Sequence, residues 1–172
     1  MKFFLIGGCA SLVVTLFIYS LRLVDTSLAS TWGAMMVGVI EELGKLAIVY
    51  VLISKMKSCN NILSALLVGA CVGAGFAAFE SAGYAFNVLL DRGINGMTNT
   101  IYLRGLFAPG GHVAWAAISG AALVIAKGSN PLTTDVLANK QFLKIFAIPI
   151  VLHGLWDAPI FPGYPKWIAL IV

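Results

Sequence analysis

Five long apolar runs occupy most of the sequence and constrain the fold more than any other feature. They lie near residues 3–21, 31–54, 61–90, 106–126 and 142–158, and charged or turn-forming residues bound each of them. About 20 consecutive apolar residues are needed for a helix to cross the hydrocarbon core of a bilayer. The runs therefore predict an all-α, polytopic membrane protein with about five full transmembrane helices, forming one integral-membrane domain over residues 1–172.

The last residues of the sequence differ from these runs. Residues 160–172 contain Pro162, Gly163 and Pro165, which interrupt a helix. We expect this stretch to be a short or truncated C-terminal segment and not a sixth full crossing.

The charged residues exclude a soluble protein and a nucleic-acid-binding protein. Only 10% of the residues are charged, whereas soluble domains carry about 25%. The net charge of +4 comes from basic residues scattered between apolar runs, and these form no continuous stripe for phosphates. With the N-terminus inside, lysines predominate on the inner side, against Arg22, Arg92, Arg104 and Lys166 outside. That bias predicts a cytoplasmic N-terminus.

Several titratable residues lie inside the predicted spans, where an ionised group is costly. They are Glu41, Glu42, Lys45, Glu80, His112, His153 and Asp157. If lipid-exposed, the acids and the lysine would together cost on the order of 12 to 17 kcal/mol, more than the stability of a typical domain. They must face a shared interior, and such residues are candidates for a functional site.

Spacing and depth group these residues. Glu41 and Glu42 precede Lys45 by four and three residues, so the ammonium group can reach both carboxylates. His153 and Asp157 are also four residues apart, and a carboxylate commonly orients a metal-ligating histidine. At about 1.5 Å per residue from the outer helix ends, the polar groups of four helices reach one layer in the outer half of the membrane.

Small residues predict close helix packing beside one of the acids. Gly69, Gly73 and Ala77 recur every four positions in the third apolar run. This spacing lets two helix backbones approach closely. At 100° per residue, Glu80 lies on the same helix face as the two glycines.

The charge balance of the polar layer indicates a cation. Four carboxylates against one lysine leave about three negative charges, which a low-dielectric interior does not hold. A divalent cation removes two of them. Carboxylate and imidazole groups are zinc ligands, and a zinc site with an open water position supports hydrolysis. Without a metal, a buried carboxylate can still activate water.

Three motifs follow one another on successive predicted helices. They are EExxK at 41–45, FxxxE at 76–80 and HxxxD at 153–157. Together with the segment 104–112, they resemble the PrsW family of intramembrane proteases, distant relatives of the CAAX-prenyl proteases and of bacteriocin-processing membrane proteins. The resemblance covers residues 41–157.

The resemblance implies a membrane metalloprotease of a prokaryotic cell membrane. Its substrate would be a single-pass membrane protein, such as an anti-sigma factor, cut near the extracytoplasmic side. The catalytic residues would be Glu41 or Glu42 as the general base, with Lys45 as their electrostatic partner. The ligands of the metal, with zinc expected, would be a subset of Glu80, His112, His153 and Asp157.

Two other functions use the same residues. Intramembrane carboxylates and histidines also mark ion pathways, so a cation or proton-coupled transporter is the alternative. Against it, the polar groups cluster at one depth, and no pair of interrupted helices suggests inverted repeats. A non-catalytic scaffold, in which Glu41, Glu42 and Lys45 form only a buried ion pair, comes third.

Overall fold

The structure, a computed structural model, describes residues 1–56 and 61–159. Within the second range, only the backbone of Pro109 is described. Across these ranges every regular element is helical, which confirms the predicted all-α class. The elements are a π-helical turn at Phe3–Gly7 that continues into α1 (Gly8–Ser20), then α2 (Thr31–Lys55), α3 (Ile62–Lys127), a 3-10 turn at Thr134–Ala138, and α4 (Lys140–Asp157). The predicted C-terminal segment, residues 160–172, lies outside the described residues.

Side-chain caps fix where three of the helices begin. Ser30 accepts a hydrogen bond from the backbone N–H of Gly33 at the start of α2, and Asn61 caps α3 in the same way. Asn139 accepts from two backbone N–H groups at the start of α4. Each cap satisfies donors that the first helical turn leaves without partners.

Helix α3 is a hairpin of two arms. Gly93 interrupts it with a φ of 71°, a left-handed conformation that glycine adopts without steric cost. We call residues 62–92 the first arm and residues 94–127 the second arm. Positions 65, 69 and 73 of the first arm lie against 120, 116 and 112 of the second. Each step forward along one arm matches an equal step back along the other, so the arms are antiparallel.

The hairpin differs from the prediction in one respect. The apolar runs leave residues 91–105 between two spans, but these residues are helical apart from Gly93. The second arm therefore begins at residue 94, twelve residues before the apolar run at 106–126 that suggested it. Consequently Arg104 lies within a helix and not in a loop.

Two described helical stretches are long and apolar enough to cross a bilayer, Phe3–Ser20 and Ile62–Lys127. Helices α2 and α4 each carry several charged residues within their length, which lowers their mean hydropathy. In α2 these are Lys55 and three of the predicted site residues. The count of five crossings thus remains a prediction.

Close approaches between backbones position the polar residues. A Cβ on Gly73 would overlap the backbone of His112, which confirms the predicted packing along the glycine face of the first arm. A Cβ on Gly38 would lie 2.9 Å from the backbone nitrogen of Gly154. Since Gly38 is one turn before Glu42, this contact between α2 and α4 brings His153 to the carboxylates.

An apolar core fills one end of the bundle. Its buried residues include Val49, Val72, Leu123, Phe142 and Phe146. The predicted site residues occupy the other end, one to three helical turns along each element from the core residue on the same helix. The apolar core and the polar site residues therefore lie at different positions along the bundle.

Candidate metal centre

Glu42 is the centre of a buried polar network. Its Oε1 lies 2.6 Å from Lys45 Nζ and 2.8 Å from His153 Nδ1. The side chains of Glu42 and Lys45 are both completely buried. Because a carboxylate only accepts hydrogen bonds, His153 Nδ1 carries the proton and donates it. In the neutral imidazole this leaves the lone pair on Nε2, at the opposite side of the ring.

His153 Nε2 points toward two other acids. Glu41 Oε2 lies 3.5 Å from it and Asp157 Oδ2 lies 3.6 Å from it. Glu42 thus orients the ring so that its free nitrogen faces a group of carboxylate oxygens. This is the arrangement in which an outer carboxylate supports a metal-ligating histidine.

Glu41 has one satisfied and one unsatisfied oxygen. Its Oε1 accepts a hydrogen bond of 3.2 Å from the hydroxyl of Tyr19. Its Oε2 is buried and has no hydrogen-bond partner among the described residues. A buried carboxylate oxygen without a partner is costly, so its position beside His153 Nε2 indicates a place for a bound group.

His112 connects α2 to the first arm. Its Nδ1 lies 2.9 Å from Lys45 Nζ, and its Nε2 lies 3.2 Å from Glu80 Oε2. The histidine is buried and comes from the second arm. It therefore links the buried Lys45 to an acid of the first arm.

Arg104, in the second arm of α3, forms an ion pair with Glu80 of the first arm. The guanidinium forms an ion pair with the Glu80 carboxylate and donates from Nε to Ser81 Oγ at 3.1 Å. It also lies over the ring of Tyr84, 4.1 Å from its centroid. The planar guanidinium suits this combination of two donors and one stacking face.

The structure gives Arg104 a second role. The charge pattern predicts that Arg104 lies on the outer side of the membrane, and the structure shows that it lies in a helix beside Glu80. The reason is the early start of the second arm, which carries Arg104 into the helix pair. Arg104 lies in the segment 104–112, two turns before His112. This position is the sequence signal that could have indicated a place at the site for Arg104.

Aromatic rings close the deep side of the cluster. The Trp115 ring stacks on His153 at a centroid distance of 4.4 Å and meets His112 edge-on at 5.4 Å. Phe76 lies 4.5 Å from Lys45 Nζ. Both aromatic side chains are buried, so they keep water from the back of the two imidazoles.

A cavity of about 440 Å³ opens in front of the cluster, and we call it the site cavity. Five predicted site residues line it: Glu41, Glu80, His112, His153 and Asp157. Arg104 and Trp156 are also in its wall. The other two predicted residues, Glu42 and Lys45, lie behind it and are not part of its lining. The structure thus brings all seven together but in two layers.

Three of these residues can hold one metal ion. Glu41, His112 and His153 each offer a ligand atom, these atoms lie within 4.8 Å of one another, and all three residues are buried. Two histidines and one glutamate, with a position left open, form the ligand set of several catalytic zinc sites. The group differs from the predicted ligands because Glu41 joins the histidines, while Glu80 is held by Arg104.

The charges fit a divalent cation. The cluster contains four carboxylates, at Glu41, Glu42, Glu80 and Asp157, against the cations Lys45 and Arg104. The balance is about two negative charges, one fewer than the sequence suggested, and a buried site does not hold an uncompensated charge. A divalent metal ion would neutralise it.

Comparison with known protein families identifies the family of this chain. A family model described as PrsW family intramembrane metalloprotease matches residues 1–172, the whole chain. No curated protein and no solved structure matches the chain.

Proposed function

The chain belongs to the PrsW family of intramembrane metalloproteases, and on that basis we propose that it is an endopeptidase acting on a single-pass membrane protein. The observation that carries the proposal is the unpartnered Oε2 of Glu41, which faces His153 Nε2 at the wall of the site cavity. An anti-sigma factor is the substrate that the sequence resemblance suggests. The cut would lie near the extracytoplasmic side of a prokaryotic cell membrane, with the N-terminus of the chain in the cytoplasm.

We propose that Glu41, His112 and His153 hold the metal, with zinc the candidate for this donor set. When bound, the metal supplies a Lewis acid for the scissile carbonyl and for the attacking water. Asp157, predicted as a ligand, lies 3.6 Å from His153 Nε2 and is the candidate for a fourth protein contact.

Glu42 and Lys45 act in this proposal as positioning residues. Both are completely buried behind the site cavity. Glu42 fixes the ring of His153 through Nδ1, and Lys45 contacts both Glu42 and His112. The contact of Glu42 with Nδ1 sets the direction of the lone pair that His153 presents at Nε2. In this proposal Glu42 has an orienting role, in place of the general-base role that the sequence resemblance implies for Glu41 or Glu42.

Glu80 is the residue that we propose accepts the proton of the attacking water. Its carboxylate lines the site cavity and lies beside His112. The ion pair with Arg104 compensates the charge of this carboxylate at the wall of the site cavity, and carboxylates are among the side chains that accept a proton in general base catalysis. Glu80 and the three proposed ligands thus come from different helices or arms, but all four line the site cavity.

The substrate must reach this site as an extended chain. A helical backbone hides its carbonyl groups in internal hydrogen bonds, so the segment to be cut has to unwind locally. The polar lining of the site cavity can satisfy the backbone groups that are released. The substrate class is therefore a transmembrane segment that unwinds near one end.

The test is a cleavage assay in proteoliposomes together with metal analysis. The substrates are single-pass reporter proteins, and the variants are Glu41→Gln and His153→Ala. We expect the wild-type protein to contain about one metal ion per chain and to cleave, and both variants to lose metal and activity. Asp91→Asn is the matched control, because Asp91 is an exposed acid of α3 outside the site cavity.

The transporter alternative predicts a different result. It requires metal or proton flux across the proteoliposome membrane without peptide cleavage. Flux that Glu41→Gln abolishes, in preparations that cleave no reporter, would contradict the protease proposal.

A further inference from the structure

A second cavity of about 460 Å³ lies next to the site cavity, and we call it the side cavity. It is formed by α1, α2, the segment between them and the first arm of α3. Glu41, Glu80 and Tyr84 belong to the lining of both cavities. The proposed ligand and the proposed proton acceptor are therefore part of the wall between two neighbouring spaces.

Away from this wall, the side cavity is lined by apolar side chains together with Thr15, Thr26 and Asn87. Its apolar lining comprises Leu12, Leu16, Leu28, Val37 and Phe79. The hydroxyl of Tyr19 points to the wall, where it donates to Glu41. Apolar side chains from several elements around a few polar groups are typical of pockets that bind an apolar group in a defined orientation.

Gly83 keeps part of the side cavity open. It lies three residues after Glu80, so the two residues are neighbours on one face of the helix. A Cβ at Gly83 would meet no described atom within 4 Å, and the glycine itself lines the cavity. A side chain at this position would therefore start in open space at the lining of the side cavity.

We propose that the side cavity is a specificity pocket that receives a large apolar side chain, of the size of Leu or Phe, from the substrate residue next to the scissile bond. This inference rests on the proposed function. An extended chain directs successive side chains to opposite sides. A substrate backbone lying along Glu41 and Glu80 can place its carbonyl in the site cavity while a neighbouring side chain enters the side cavity. The occupant is thus the substrate itself, because the two cavities share their wall.

The experiment compares substrates that differ only in the residue flanking the cut. Reporters carrying Ala, Leu or Phe at that position are assayed with the wild-type protein, Gly83→Ala and Gly83→Leu. One methylene group in an apolar pocket changes kcat/KM by about 10- to 200-fold. We expect the wild-type protein to prefer Leu and Phe, Gly83→Leu to lose that preference by a factor in this range, and Gly83→Ala to lie between them. In Gly83→Leu, cleavage of the Ala reporter should fall less than cleavage of the Leu and Phe reporters.

Gly105→Leu is the matched control. Gly105 is a helical glycine of the second arm, a Cβ there also meets no described atom within 4 Å, and it lines neither cavity. This variant should keep the wild-type preference. An equal loss of all three reporters in Gly83→Leu, or an unchanged preference, would overturn the pocket. So would a loss of bound lipid from Gly83→Leu, seen by native mass spectrometry, with the preference intact.

A binding measurement separates the pocket from the proposed function. A photoreactive apolar residue, scanned along the membrane segment of the reporter, should crosslink to Phe79 or Leu12 in the wild-type protein and less in Gly83→Leu. Crosslinking without any cleavage would show that the segment binds in the side cavity but would reject the protease proposal, and with it the role of the pocket in cleavage specificity. Cleavage without crosslinking at any position would reject the pocket and keep the protease.

Discussion

Glu42 and His153 are separated by 111 positions in the sequence, yet Glu42 Oε1 lies 2.8 Å from His153 Nδ1. This hydrogen bond joins the EExxK motif of α2 to the HxxxD motif of α4 and sets the direction in which His153 presents Nε2. It explains why two distant motifs act on one site. It also assigns different tasks to two adjacent glutamates.

The first prediction concerns Glu42→Gln. The amide keeps the size of the side chain but removes the charge that supports His153 and neutralises Lys45. We expect metal affinity or kcat/KM to fall about 10- to 100-fold, the usual effect of changing such an outer partner, whereas Glu41→Gln should abolish both. Metal titration and the reporter assay measure the difference, and equal losses in the two variants would contradict the two-layer arrangement.

The second prediction concerns Arg104. Lysine cannot reproduce the guanidinium contacts to Glu80, Ser81 and Tyr84, so Arg104→Lys should lose nearly as much activity as Arg104→Gln. The informative measurement is a double-mutant cycle with Glu80→Gln, for which we expect a coupling energy of about 0.5 to 3 kcal/mol. Arg92→Gln, an exposed arginine of the same helix, is the control. Strict additivity with Glu80 would show that the two residues act independently.

The third prediction concerns Lys45→Met. The variant keeps an unbranched chain but leaves the completely buried Glu42 without its ion pair. Removing one partner of a buried pair destabilises a protein by about 3 to 5 kcal/mol. Thermal unfolding in detergent should therefore show a clear loss, and the double variant with Glu42→Gln should recover part of it. Lys55→Met, at the exposed end of α2, should change little.

The fourth prediction concerns Gly73→Val. Its side chain would overlap the backbone of His112, where the arms of α3 are in contact. Overpacking of this kind costs about 1 to 3 kcal/mol, and here it also displaces His112 from Lys45 and Glu80. We expect lower thermal stability together with weaker metal binding. Gly105→Val, which enters open space, should affect neither quantity.

The convergence of the titratable residues could be predicted because lipid does not accept ionised groups. Every acid and histidine within an apolar run had to face an interior, and the periods of the helices placed Glu80 and the glycines on one face. The helical class followed for the same reason, since only internally bonded backbones are stable in hydrocarbon. These conclusions depend on local pattern alone.

The division of tasks between Glu41 and Glu42 could not be predicted. Consecutive residues on a helix point about 100° apart, so only one of the two can face the site cavity. Which one does so depends on where α4 approaches, and that approach is set by the contact between Gly38 and Gly154. The role of Arg104 depends in the same way on how the two arms of α3 pair, a tertiary feature that hydropathy does not encode.

The arrangement of counter-charges also has a consequence for biogenesis. Chains are made from the N-terminus, so α2 and the hairpin are complete before α4 is made. Glu42 already has Lys45 one turn away, and Glu80 obtains Arg104 from the returning arm of its own hairpin. Both acids are therefore compensated while the chain is still growing, and only the arrival of His153 with α4 completes the centre. A nascent chain stopped before α4 should be inserted and charge-paired but inactive.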